Sequence, residues 1–95
     1  MALSTHFESE HSLENAEAML EACREEYASA GRHDAAQALW GLDVKSPASA
    51  QLALLTVKSL PEVSDECVNT ARRVTISALE AAQRTLAQHT ARRAS

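Results

Sequence analysis

Two glycines and two prolines in 95 residues leave few places where this chain can turn sharply. Its β-branched residues are scattered, and no run of them reads as a strand. The aromatic set is Phe7, Tyr27 and Trp40 alone. No stretch approaches the ~20 apolar residues that a membrane span needs. Cys23 and Cys67 are the only cysteines and form no CxxC, which excludes a disulfide scaffold. The glycines stand apart, so there is no Gly-rich phosphate cradle. The first eleven residues lack the basic start and apolar core of a signal peptide. These absences predict a cytoplasmic protein with free thiols and no membrane association.

What is present is alanine. Nineteen of the apolar residues are Ala, and 24 are larger. Ala-rich, Gly-poor and Pro-poor composition is that of long helices. Such helices approach one another closely but bury little area, at about 25 cal/mol per Å². A thin core of this kind leads us to expect self-association, most simply a homodimer. Seven Arg against two Lys, with so much Ala, suggest a GC-rich, bacterial origin.

Charge is unevenly spread. The net charge is −4, made of −6 over residues 1–45 and +2 over residues 46–95. An acidic first helix and a basic last one could attract each other, within the chain or across a dimer, or be solvated independently.

The periodicity divides the chain into four helices. Thr5 and Glu8 have capping-box spacing, and Ser12 is a later possible start. Leu13, Ala16, Leu20, Cys23, Tyr27 and Ala30 then follow in alternating steps of three and four, the a/d seam of a packed helix. Glu14, Glu17, Glu21 and Glu25 fall off that seam, and Gly31 supplies a stop. Asp34 is the expected cap of a short second helix that carries Trp40 and ends near Gly41 or Asp43. Ser46-Pro47 opens a third helix, near 47–59. Its apolar residues spread around the axis, which predicts the most buried, central element. Pro61 breaks the chain, with Leu60 extended before it. After a cap at Ser64 or Asp65, nothing interrupts a helix of roughly 28 residues, about 40 Å long. Val68, Ala71, Thr75, Ala78, Leu79, Ala82 and Leu86 form its inner stripe. The shorter helices cannot cover that length, so the last helix is expected to fray or to supply a dimer or partner surface. The expected architecture is a single all-α domain, a small bundle of about four helices, one of them short, with a long C-terminal helix. Residues 1–11 and 90–95 are expected to be frayed or disordered.

Residues 20–40 resemble one unit of a tetratricopeptide repeat. Leu20, Cys23, Tyr27, Gly31, Ala36 and Trp40 stand at its spacings. Arg24 and Asp43 occupy places where that unit has small residues, and no second unit follows. The resemblance implies a helical hairpin, not a solenoid.

Chemistry-bearing patterns are sparse. His6, Glu8, Glu10 and His11 cluster, and Glu8-x-x-His11 has the spacing used by di-iron bundles. Those sites need a second such pair, which the chain lacks, so a metal-binding or redox bundle built by oligomerisation is the alternative reading. Cys23 lies on the apolar seam and reads as a core residue. Cys67 is near the start of the last helix, where the dipole can lower a thiol pKa, but no histidine is close in sequence to act as its base. Arg72, Arg73, Arg84, Arg92 and Arg93 make a basic last helix, yet the domain is acidic and that helix has no aromatic residue. A nucleic-acid-binding bundle is therefore a second alternative, and nucleic acid is not an expected partner. No catalytic residue, cofactor or metal is assigned. The favoured reading is a non-enzymatic, protein-binding regulator, such as an adaptor, chaperone, inhibitor or immunity-type protein. Trp40 and Leu42 would be its apolar anchor, and Glu14, Glu17, Glu21 and Glu25 would steer a basic partner toward it.

Overall fold

The computed structural model describes the backbone of residues 2–94 and the side chains of residues 11–89. These residues form four helices and no strand: α1 (Ala2–Ser29), α2 (His33–Leu39), α3 (Pro47–Ser59) and α4 (Glu66–Ala94). The chain is an all-α bundle with one short helix and a long C-terminal one.

The two long helices are its spine. Thr85 Oγ1 meets Ser12 Oγ at 3.2 Å, and Thr75 Oγ1 meets the Met19 carbonyl at 3.1 Å. Numbers fall along α1 as they rise along α4, so the pair is antiparallel. α2 packs on α1, α3 packs on α4, and the two shorter helices touch each other. The result measures 46 × 24 × 17 Å.

The seam of α1 meets the inner stripe of α4 as the periodicity demands. Ala16, Leu20, Cys23 and Tyr27 are buried against Val68, Thr75, Ala78, Leu79, Ala82 and Leu86 in one cluster, which also takes in Ala35, Leu39, Val44 and the inner residues of α3. Ala71 is only partly buried, and Ala30 is exposed beyond the end of α1. Thr75 is buried without a polar penalty because its hydroxyl lies 2.7 Å from the Ala71 carbonyl and 3.1 Å from that of Met19. Its bond to a carbonyl of the facing helix fixes the register of the pair.

The helix ends follow local chemistry. Gly31, at φ +80°, closes α1 with a Schellman motif: its N–H donates to Ala28 and that of Arg32 to Tyr27, at 3.1 and 2.9 Å. Because Arg32 is consumed by this motif, α2 starts at once, with Arg32 as its N-cap and no side-chain cap. Asp34 is therefore in the first turn and is not the cap, contrary to its capping-box spacing. It stands 4.0 Å from Arg32 Nε instead. Ser46 caps α3 reciprocally with Ser49, and Pro47 is its first residue. Leu60 is extended ahead of Pro61. Of the two candidates for α4, Asp65 is the cap: its Oδ1 accepts from the amides of Cys67 and Val68 at 2.9 and 3.3 Å. Asn69 then clamps the loop before the helix, bonding both the amide and the carbonyl of Val63.

Two expectations of packing are corrected. α3 is not the central element. Leu52 and Leu55 are 58% and 54% exposed, and only Ala50, Ala53, Leu54 and Val57 turn inward. Apolar residues all round a helix signal burial only where neighbours exist on every side, and α3 has none on its outer face. Nor does α4 lack cover. α1 runs unbroken through Ser12 and, at 28 residues, nearly matches the 29 of α4. Among the described residues, the ion pairs Arg24–Glu21, Arg32–Asp34 and Lys58–Glu80 do not carry the attraction expected between the acidic and basic helices, since none of them joins α1 to α4. The backbone is helical from Ala2, so Thr5 lies within α1 and does not begin it, contrary to its capping-box spacing with Glu8. The side chains of residues 1–10 and 90–95, those of His6, Glu8, Glu10, Arg92 and Arg93 among them, lie outside the described residues.

Candidate functional site

The site grows out of the way α2 ends. Gly41, at φ +81°, reverses the chain one residue after Trp40, whose amide donates to the Gln37 carbonyl at 3.1 Å. Leu39 is buried and Leu42 is half-buried against the core. Trp40 lies between these two anchors and is held outside, 70% exposed.

It is not isolated there. Trp40 and Leu42 line a groove of about 730 Å³ with Glu17, Leu20, Glu21 and Arg24 of α1 and with Asp43 and Lys45 of the following loop. Four of the six residues singled out from sequence thus converge: Trp40, Leu42, Glu17 and Glu21. Glu14 and Glu25 are exposed on α1 but do not line the groove. The four lie on one side of α1, and position along the axis separates them: the groove takes the stretch from Glu17 to Arg24, with Glu14 one turn before it and Glu25 just beyond it.

Arg24, Asp43 and Lys45 were not singled out. The Arg24 guanidinium stands over the Trp40 ring, its Cζ 4.3 Å from the centroid, and its Nη2 is 3.9 Å from Glu21 Oε1. The signal for it was present in the sequence. Arg24 follows Glu21 by three residues, and it is one of the two places where the chain departs from the tetratricopeptide spacing. Asp43, the other departure, accepts from the Lys45 amide at 3.1 Å. Hydrogen bonding from Ser49 and from that amide holds its carboxyl below the usual range. The groove therefore carries three carboxylates, Glu17, Glu21 and Asp43, against Arg24 and Lys45.

The remaining candidates are dispersed. Cys23 is buried and Cys67 exposed, and both thiols are free. Burial pushes the Cys23 thiol above its ordinary value, offset in part by its hydrogen bond with Thr75 and by the Arg72 charge. Arg72 donates to the Lys58 carbonyl at 3.0 Å, and Arg73 meets Thr70 Oγ1 at 3.4 Å. Among the described residues, no three His, Cys, Asp or Glu side chains are grouped to hold a metal ion. No helix among them is long and apolar enough to cross a membrane. A second groove, of about 410 Å³, lies between α1 and α4 and is lined by Met19, Ala22, Cys67, Ala71 and Val74, among others.

The chain matches no protein-family model, no curated protein and no solved structure.

Proposed function

We propose that this protein is a small, non-enzymatic, protein-binding regulator, and that its docking site is the groove around Trp40. The observation that carries the reading is the convergence of an exposed Trp40 and a half-buried Leu42 with Glu17, Glu21 and Asp43 in one concavity. Trp is the side chain most enriched where binding energy concentrates. A ring beside an apolar floor supplies desolvation area, and the carboxylates around it supply direction and rate. The partner that fits is a basic segment with an apolar residue to set against Trp40 and Leu42. Glu14 and Glu25, outside the groove but on the same helix, extend the negative field that such a segment would meet first.

The test is capture of the partner by the tagged protein in its native cells, with four baits compared. The wild type and Glu66→Gln, a change outside the groove, should retain the same stoichiometric protein. Trp40→Ala and the pair Glu17→Gln with Glu21→Gln should lose it. Cross-links from the groove should fall in a basic segment of that protein. Retention by both groove variants would place the interface elsewhere. An eluate containing only the bait would remove the reading.

A further inference from the structure

We infer that the Trp40 ring is a guanidinium site held by the chain's own Arg24, and that a partner docks by exchanging an arginine of its own for Arg24. The inference rests on the proposed groove and names the chemistry of its occupant.

The molecule itself displays the ligand class. A guanidinium lies 4.3 Å from the ring centroid, within the range of a cation–π contact. Its planar head stacks on an aromatic face in a way that a compact ammonium does not, and it is the more weakly hydrated of the two cations. The adjoining carboxylates suit the same group. Glu21 is 3.9 Å from Arg24 Nη2, at the long limit of an ion pair and beyond a tight hydrogen bond, and its side chain is 66% exposed. Glu17 and Asp43 line the same groove and belong to none of the ion pairs among the described residues. Asp43 already accepts from the Lys45 amide, and the acceptor capacity that Arg24 leaves for a second guanidinium is that of Glu17 and Glu21. An incoming arginine that approaches along the groove axis can take the ring face and a carboxylate together. Arg24, at the rim of α1 with its side chain 25% exposed, gives up its contacts with the ring and with Glu21 when it swings away.

An internal occupant lowers apparent affinity by the fraction of molecules in which the face is free. For an exposed cation–π contact, that corresponds to about threefold to sixfold. Removing Arg24 should therefore tighten the binding of an arginine-bearing ligand by about that factor, although it deletes a residue of the groove.

The experiment uses the full chain and its single tryptophan as the reporter. Wild type, Arg24→Gln and Arg32→Gln are titrated with a short peptide of alternating leucine and arginine, and with the same peptide carrying citrulline for arginine. Arg32→Gln makes the same change in net charge at a residue that does not line the groove. We expect the arginine peptide to change Trp40 fluorescence, to bind Arg24→Gln about threefold to sixfold tighter than wild type, and to bind Arg32→Gln within about twofold of it. The gain should persist at high salt, where a purely coulombic gain is screened. The citrulline peptide should not bind. Unchanged or weaker binding by Arg24→Gln would make Arg24 a contact residue and overturn the exchange. So would a gain that salt abolishes, or one equalled by Arg32→Gln. If the peptide binds none of the three proteins, the guanidinium assignment falls. The capture experiment on Trp40→Ala still decides, on its own, whether the groove binds a protein.

Discussion

Tyr27 should be the residue on which this fold depends most. It is the largest fully buried side chain, and its ring fills the space where α1 ends, α2 begins and the loop before α4 passes. Its carbonyl accepts the 2.9 Å bond that closes the Schellman motif, and its hydroxyl donates to the Pro61 carbonyl at 3.5 Å. Tyr27 is 0% exposed, and the helices and loop around it hold its place open, so Tyr27→Ala would leave a cavity of nearly a whole ring. The cost should match the upper range for aromatic truncation, about 3–5 kcal/mol. A chain of 95 residues has roughly 5–14 kcal/mol in total, so the loss is a large fraction of it. At about 4–8 °C per kcal/mol, the melting temperature should fall by at least about 12 °C. Tyr27→Phe removes only a long hydrogen bond and should cost no more than about 1 kcal/mol. Urea unfolding followed by far-UV circular dichroism, with thermal melts alongside, measures both. If Tyr27→Ala costs under about 1.5 kcal/mol, or if the two variants cost the same, then ring packing is not what holds this corner together.

The helices were legible because their ends are chemical. Gly31, Ser46-Pro47, Pro61 and Asp65 each act within a few residues of themselves, and each marks a boundary in the structure. The seam of α1 and the stripe of α4 were legible because they keep one helical period over many turns. Asp34 was misread because the capping spacing alone cannot tell that Arg32 is already committed to the preceding motif. α3 was misplaced because Leu52 and Leu55 raise its apolar content without saying what lies opposite them. Which helices are neighbours is a property of the assembled bundle, and the sequence pattern of one helix does not contain it.

The groove was legible by half, for a related reason. Trp40 and Leu42 flank a glycine, so their exposure at a reversal could be anticipated locally. Which glutamates would face them could not, since all four lie off the seam. The place along α1 where α2 and its following loop pack sets the groove between Glu17 and Arg24 and leaves Glu14 and Glu25 beyond its ends. Arg24 breaks the tetratricopeptide spacing, and spacing alone does not show that the break is a contact with the Trp40 ring. The chain has three aromatic residues, and the structure sets two of them in opposite roles: Tyr27 fills the core while Trp40 stands outside it.

Alkaline destabilisation should begin with Cys23. Burial raises its pKa above 9.0 in the folded chain, so below pH ~9 the thiol is protonated in both states and contributes no pH dependence. Above that, the unfolded chain releases a proton that the folded chain keeps, and stability falls by up to about 1.4 kcal/mol per pH unit until the folded thiol also ionises. Cys23→Ala should flatten this slope between pH 9 and 10, before Tyr27 contributes its own; parallel wild-type and variant curves would sink the assignment. Asp65→Ala should cost about 1 kcal/mol in urea unfolding by uncapping α4, with Ser64→Ala near zero, and the reverse order would move the cap. Trp40→Ala should contrast with Tyr27→Ala. The ring is 70% exposed, so truncation leaves no internal cavity, and what it loses is the Arg24 contact and a minor buried area. The expected cost is at most about 1 kcal/mol, against about 3–5 for Tyr27→Ala. Leaving that much apolar surface in water forgoes roughly 3 kcal/mol that burial of the ring would have added, at about 25 cal/mol per Å² over the 150–250 Å² of an aromatic side chain. A thin core forgoes such a contribution most sensibly when the exposed ring is used in binding. If Trp40→Ala instead unfolds the protein as readily as Tyr27→Ala, the ring belongs to the fold, and the argument for a docking groove loses its anchor.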